Sequence, residues 1–216
     1  MTGKSFFMHS LNKVQHSAFF CCKALHFYFA INRHLITKID LQNKGTWCTH
    51  GEDKEKVFVD KYGHQLGLII NPKKETNKYA PDLSNFLESE LADLKTQNTP
   101  FFSAQWKYGY NPQYTVTFNK NDADRYREYY PDLVIYFWVD WVAIRYFKKS
   151  KSQRYPDTNI KVVPMTGVWK VAFKDLDEII KNSPLHEYEE RVGDDQGNAK
   201  ESYLIDLNNS KITKVI

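Results

Sequence analysis

Two carboxylates and a lysine are the residues of this 216-residue chain whose types and spacing can do chemistry. Asp82 follows Pro81, and after ten intervening residues the chain reads Asp93-Leu94-Lys95-Thr96-Gln97. Two carboxylates held together can bind Mg²⁺, a hard cation that takes oxygen ligands. Side chains alternate along a strand. A strand over residues 91–97 therefore puts Asp93, Lys95 and Gln97 on one face and turns Ala92, Leu94 and Thr96 toward a core. Asp82, on the other strand of a hairpin that turns near residues 85–90, supplies the second carboxylate. Glu88 and Glu90 read as turn and surface residues. Pro-Asp recurs at Asp132 and Asp157, but only the pair at Asp82 is followed by an acid-x-Lys triplet.

This spacing resembles the signature of the PD-(D/E)XK nuclease superfamily, which includes the restriction-endonuclease-like folds. The resemblance covers residues 50–147. It implies an α/β fold with a central mixed sheet flanked by helices. Cutting a phosphodiester needs a nucleophilic water and neutralised phosphate charge. Accordingly, the resemblance implies that Asp82 and Asp93 bind Mg²⁺, or Mn²⁺ in its place, with the Leu94 carbonyl as a further ligand. Lys95 then orients or activates the attacking water, or stabilises the phosphate charge, and Gln97 joins it on the same face. In the family, a helix before the motif carries a glutamate pointing into the site. Glu55 is the candidate, with Glu52 second, and the alternative is that both are solvated charges near a helix N-terminus. A helix after the motif faces nucleic acid, which puts Gln105 and Lys107 in reach of it.

The expected activity is that of a Mg²⁺-dependent DNA endonuclease of restriction, phage, mobile-element or repair type. A strict exonuclease fits less well, because Gln105 and Tyr108 have the wrong spacing for the Gln-x-x-x-Tyr helix pattern of those relatives. One motif gives one site per chain, so cutting both strands of a duplex points to a homodimer or to two successive events. Two other readings stand beside this one. The chain can be a non-catalytic nucleic-acid-binding or assembly module that retains the fold, or an unrelated α/β protein with a coincidental motif.

Elsewhere, 42% apolar and 15% aromatic residues argue for a folded chain rather than disorder. A net charge of +4 suits a phosphate-rich partner without demanding one. Cys21, Cys22 and Cys48 make no disulfide framework, which points to a reducing cytoplasm. Residues 1–45 read as one or two helices packing on a nuclease domain of residues 46–216. The apolar run 19–31 is too short for a membrane span and is broken by Lys23 and His26. Lys4 precedes apolar residues as in a leader, but no small-residue cleavage site follows.

The remaining elements follow from local pattern. Residues 51–62 predict an amphipathic helix ended by Gly63, and residues 65–70 a strand. The polar stretch 71–79 holds Lys73, Lys74 and Lys78, and reads either as a solvated turn or as a phosphate-contacting loop. Thr99-Pro100 suits a helix start, with Phe101, Phe102 and Trp106 directed to the core. Residues 113–118 alternate like a strand. Residues 121–130 form a helix with Asp122, Arg125 and Arg127 exposed, and 133–139 a buried central strand. Residues 141–147 continue that strand or return beside it. The stretch 147–155 carries Lys148, Lys149, Lys151 and Arg154, and is either a solvated loop or, with Tyr146 and Tyr155, a grip on a nucleic-acid backbone. Two β-like pieces lie in 160–173, Asp175 caps a helix over 176–182, and 203–207 forms a last edge strand.

Overall fold

The apolar run Val134–Val139 buries every side chain, on both faces of the strand β5 (Val134–Asp140) that it forms. Such a strand needs a covered sheet on either side of it. In the computed structural model β5 is central to a six-stranded sheet of order β1-β2-β3-β5-β8-β11. The other members are β1 (Leu68–Ile70), β2 (Leu83–Asn85), β3 (Leu91–Gln97), β8 (Thr166–Ala172) and β11 (Thr213–Lys214). Strands β3 and β5 run parallel, from Ala92↔Val134 to Gln97↔Val139, and all other pairs are antiparallel. The fold is therefore α/β with a mixed central sheet flanked by a few helices. The structure describes residues 53–77, 79–149, 158–187 and 201–216, all within the compact unit Gly51–Ile216. The expectations for residues 1–45, Glu52, Lys78, Lys151 and Arg154 lie outside the described residues.

Each face of the sheet has its own apolar cluster. On one face Ala92, Leu94, Tyr136 and Trp138 pack on helix α1 through Phe58 and Tyr62. Helix α1 is α-helical over residues 53–58, takes a π turn over Val59–Gly63 and closes as an α-helix over His64–Leu66. It does not stop at Gly63. A Cβ there would lie 2.6 Å from the Leu68 carbonyl oxygen and 2.9 Å from Val59 Cγ1, so this glycine lets the helix pass against β1. The stop comes at Gly67, which takes the left-handed conformation (φ 69°) of a helix C-cap. The strand expected over 65–70 shrinks accordingly to Leu68–Ile70.

On the opposite face Ile135, Phe137 and Val139 pack against β4 (Thr115–Asn119), helix α3 (Lys120–Tyr129) and helix α4 (Phe173–Ile180). Strand β4 pairs with β10 (Glu201–Asp206), which also pairs with β9 (Leu185–Glu187). The expected edge strand over 203–207 is thus the middle of a three-stranded sheet. Helix α4 begins at Phe173 and has no side-chain cap, so Asp175 lies in its first turn rather than at its N-cap.

Past Gln97, helix α2 occupies only Ala104–Tyr108. Trp106 is exposed there instead of packing in the core. Past Asp140, strands β6 (Arg145–Lys148) and β7 (Thr158–Lys161) form a separate two-stranded ribbon rather than extending β5. No helix among the described residues is long and apolar enough to cross a membrane.

Candidate active site

Strand β3 has β5 along its whole length but β2 only at its start, through Leu83↔Ala92 and Ser84↔Leu91. Beyond Ala92 a notch opens in the sheet. The Leu94 N–H faces this notch without a strand partner, and Asp82 Oδ2 accepts its hydrogen bond at 3.3 Å. N–H and C=O of one residue leave a strand on the same side, so the Leu94 carbonyl is aimed at the notch as well. Asn71 fixes the backbone that carries Asp82. This buried side chain donates from Nδ2 to the Pro81 carbonyl at 2.8 Å, and the Asn71 N–H donates to the Asp82 carbonyl at 3.0 Å.

Asn71 also caps the 3₁₀ turn Pro72–Glu75 by accepting from the Lys73 N–H. That turn aims Lys74 inward. Its Nζ lies 2.5 Å from Glu55 Oε2 and 2.7 Å from Asp82 Oδ1. The polar stretch is therefore neither a plain solvated turn nor a free basic loop. Lys74 is the cation between two carboxylates, while Lys73 is exposed.

Asp93 and Lys95 stand opposite Ile135 and Phe137 in the ladder, on the face that carries α3. Asp93 is 3% exposed. Lys95 Nζ is 2.7 Å from Asp93 Oδ2 as an ion pair. Lys95 reaches on to Asp122 Oδ2 at 2.6 Å and to the Tyr126 hydroxyl at 3.4 Å. Arg125 Nη2 closes the set, 3.1 Å from Asp122 Oδ1 and 3.0 Å from the Tyr126 hydroxyl. Asp122 and Arg125 are thus part-buried site residues rather than solvated ones. Arg127 is exposed and pairs with Asp124 and Asp177.

The result is a run of alternating charge through the notch: Glu55, Lys74, Asp82, then Asp93, Lys95, Asp122, Arg125. Four carboxylates face three cations. Burial pushes the Asp93 carboxyl up to about 6, and Asp82 adds to the effect while Lys95 opposes it. The Asp82 carboxyl is raised too, by burial first, against Lys95 and with Glu55 adding. Burial works against the Lys95 charge, but Asp93, Tyr126 and Asp122 outweigh it and hold its pKa well above the lysine range. For Lys74 burial is likewise outweighed, by Asp82 and Glu55.

As a donor set, part-buried carboxylates and a strand carbonyl are of the oxygen type that a hard divalent cation takes. Among the described residues no three His, Cys, Asp or Glu side chains form a ready-made metal cage; the Lys74 and Lys95 ammonium groups lie among the carboxylates. Two ion-paired groups flank the notch, Glu55–Lys74–Asp82 with the Leu94 N–H and Asp93–Lys95–Asp122, and Asp82 acts electrostatically on Asp93 and Lys95. Gln97 shares their strand face but is engaged elsewhere. Its Oε1 accepts from the Thr117 N–H and its Nε2 donates to the Thr99 carbonyl, tying β3 to β4. Glu90 lies beside Lys170. Lys107 is exposed on α2, and Lys148 and Lys149 are exposed on the ribbon.

Asn71, Asp122, Arg125 and Tyr126 are site residues that the sequence pattern does not reveal as such. The signal for two of them is the four-residue spacing that stacks Asp122 and Tyr126 on one helix face. For Asn71 the local signal is only that of a cap to the turn at Pro72; its bond to the Pro81 carbonyl, ten residues away, leaves none. Comparison of the chain with protein-family models, with curated proteins and with solved structures finds no match.

Proposed function

We propose that this chain is a Mg²⁺-dependent DNA endonuclease with a restriction-endonuclease-like core and its centre at the notch. One observation carries the reading. Asp93, a buried carboxylate ion-paired to Lys95, is coupled to a second carboxylate, Asp82, which raises the cost of its charge. A purely structural ion pair has no use for a second, coupled carboxylate, which disfavours the charged form. The element order supports the same reading: α1, β1, β2, β3, then helix α3 and a parallel β5 follow the helix, hairpin and motif sequence that the resemblance implies.

Asp82, Asp93, Glu55 and the Leu94 carbonyl would hold the metal, with Mn²⁺ able to replace Mg²⁺. When bound, such an ion neutralises phosphate charge and lowers the pKa of a coordinated water. Lys95 stays protonated, so its part is to donate to the phosphate and balance developing charge rather than to take a proton. Asp122 and Tyr126 aim its ammonium group. The test is incubation with supercoiled plasmid in Mg²⁺, in Mn²⁺ and in EDTA. Nicked or linear product is expected with either metal and none with chelator. Folded protein that leaves plasmid intact in both metals rejects the reading.

A second reading has one observation in its favour. Lys74 and Lys95 already neutralise the carboxylates around them, as in a module that binds nucleic acid without cutting it. Such a module would bind DNA equally well in Mg²⁺ and in EDTA.

A further inference from the structure

Helix α2 and the β6–β7 ribbon carry a surface that the notch does not use. Residues 104–108, 141–149 and 158–165 include Lys107, Arg145, Lys148, Lys149 and Lys161 and no aspartate or glutamate. These five cations exceed the +4 net charge of the entire chain. Aromatic rings stand among them. Phe102, buried at 8%, stacks on Tyr146 with centroids 5.7 Å apart and planes at 27°. Tyr146 stacks in turn on Trp106 at 5.4 Å and 30°, and Trp106 is 48% exposed. The stack thus runs from the core to solvent and ends in an indole able to take another ring. Phe147 is 57% exposed on the opposite face of the ribbon.

Hydrogen bonds from Gln113 tie the segment after the ribbon to the rest of the fold. Gln113 accepts from the Val163 N–H at 2.7 Å and donates to its carbonyl at 3.1 Å, while Trp141 Nε1 donates to the Gln113 carbonyl at 3.1 Å. A cavity of about 380 Å³ lies beside it, lined by Gln105, Tyr110, Asn111 and Lys161 among others. Its amide groups can hydrogen-bond the edges of a base. Both α2 and the ribbon follow the carboxyl ends of the parallel strands β3 and β5, the end of an α/β sheet where ligands gather.

We propose that this surface binds unpaired nucleotides, with a base stacked on Trp106 and the flanking phosphates held by Lys107, Lys148 and Lys149. Stacking accounts for exposed aromatics and cations for phosphates, the two features that single-strand binding combines. A duplex hides its base faces and would gain only the electrostatic part. The proposal rests on the nucleic-acid reading above but not on cleavage.

The experiment is fluorescence anisotropy of the full chain with a labelled oligothymidylate of about 12 nucleotides and with a duplex of equal length, both in EDTA so that no cutting intervenes. The single strand should bind more tightly than the duplex. Trp106→Ala should weaken single-strand binding roughly 10-fold or more and duplex binding little, while Trp106→Phe should retain most of it. Lys148→Ala with Lys149→Ala should flatten the salt dependence for both ligands, since each phosphate contact releases counterion. Unchanged single-strand affinity in a Trp106→Ala variant of wild-type circular dichroism overturns the proposal. So does Trp106-dependent capture by phosphatidylserine vesicles in the absence of any oligonucleotide binding. Because no metal is present, either outcome leaves the plasmid assay of the notch unaffected.

Discussion

The Lys74 ammonium group stands 2.7 Å from Asp82 Oδ1. Its other partner, Glu55 Oε2 at 2.5 Å, comes from the helix on the far side of the notch. Lys74 is an internal counter-ion to both carboxylates, and on the proposed function a metal would compete with it. Lys74→Ala should therefore lower stability in EDTA by about 1–3 kcal/mol, because it strands two part-buried carboxylates. The same variant should show a larger rise in Tm than wild type when Mn²⁺ or Mg²⁺ is added, since binding to the native state adds stability by mass action. Thermal melts with and without metal check both halves. Equal metal-induced shifts in the two proteins would show that Lys74 does not compete.

Asp93 gives a pH signature. Its carboxyl is near 3.8 when unfolded and about 6 when folded, so the native state binds this proton more tightly. Stability from this group is fully present below about 4 and is lost as pH rises through about 6. Asp93→Asn, which mimics the protonated form, should stabilise the metal-free protein at pH 8 by about 3 kcal/mol, because a tenfold change in proton affinity is worth about 1.4 kcal/mol. The gain should shrink below pH 6 and vanish near pH 4. Urea melts across that range measure it. Metal-dependent stabilisation should be lost in the same variant.

Lys95 remains charged at any assay pH, because its neighbours hold its pKa well above the lysine range. The plasmid-cleavage rate should show no limb from lysine deprotonation up to about pH 10. Lys95→Ala should lower the rate constant by about 10²–10³ with much less effect on DNA affinity, the pattern of a group that acts in the transition state. It also leaves Asp93 and Asp122 without their shared cation, so some loss of Tm is expected as well. Wild-type rates in Lys95→Ala would place any cleavage outside the notch.

Gly63 links the core to the site. An added Cβ would press on the Leu68 carbonyl, which is backbone and cannot swing aside. Gly63→Ala should cost about 1–3 kcal/mol and move α1, the helix that carries Glu55. Denaturant midpoints report the first effect, and a reduced Tm shift on metal addition reports the second.

How far the sequence reveals this arrangement depends on the range of the forces involved. The strand over Val134–Asp140 is legible because an unbroken apolar run has nowhere to go but the middle of a sheet. Asp93, Lys95 and Gln97 share a face because strand alternation is local. The inward turn of Asp122 and Arg125 is not local. Charges on a helix are ordinarily solvated, and it is Lys95, 27 residues earlier in the chain, that joins Arg125 in making burial tolerable for Asp122. Lys74 is hidden for the same reason, since its carboxylates lie 19 residues before it and 8 after. Trp106 misleads in the opposite sense. Large aromatics are usually core residues, and this one is kept near the surface by its stack on Tyr146.

The brevity of the outermost strands bears on self-association. The central sheet ends in β1, with three residues, and β11, with two. Short rims offer too few free N–H and C=O groups to template another chain, one of the ways proteins guard against aggregation. Among the described strands, a pair of copies formed to cut both strands of a duplex would therefore not arise by extending the central sheet, and the main-chain geometry of the notch would not be drawn into a shared ladder.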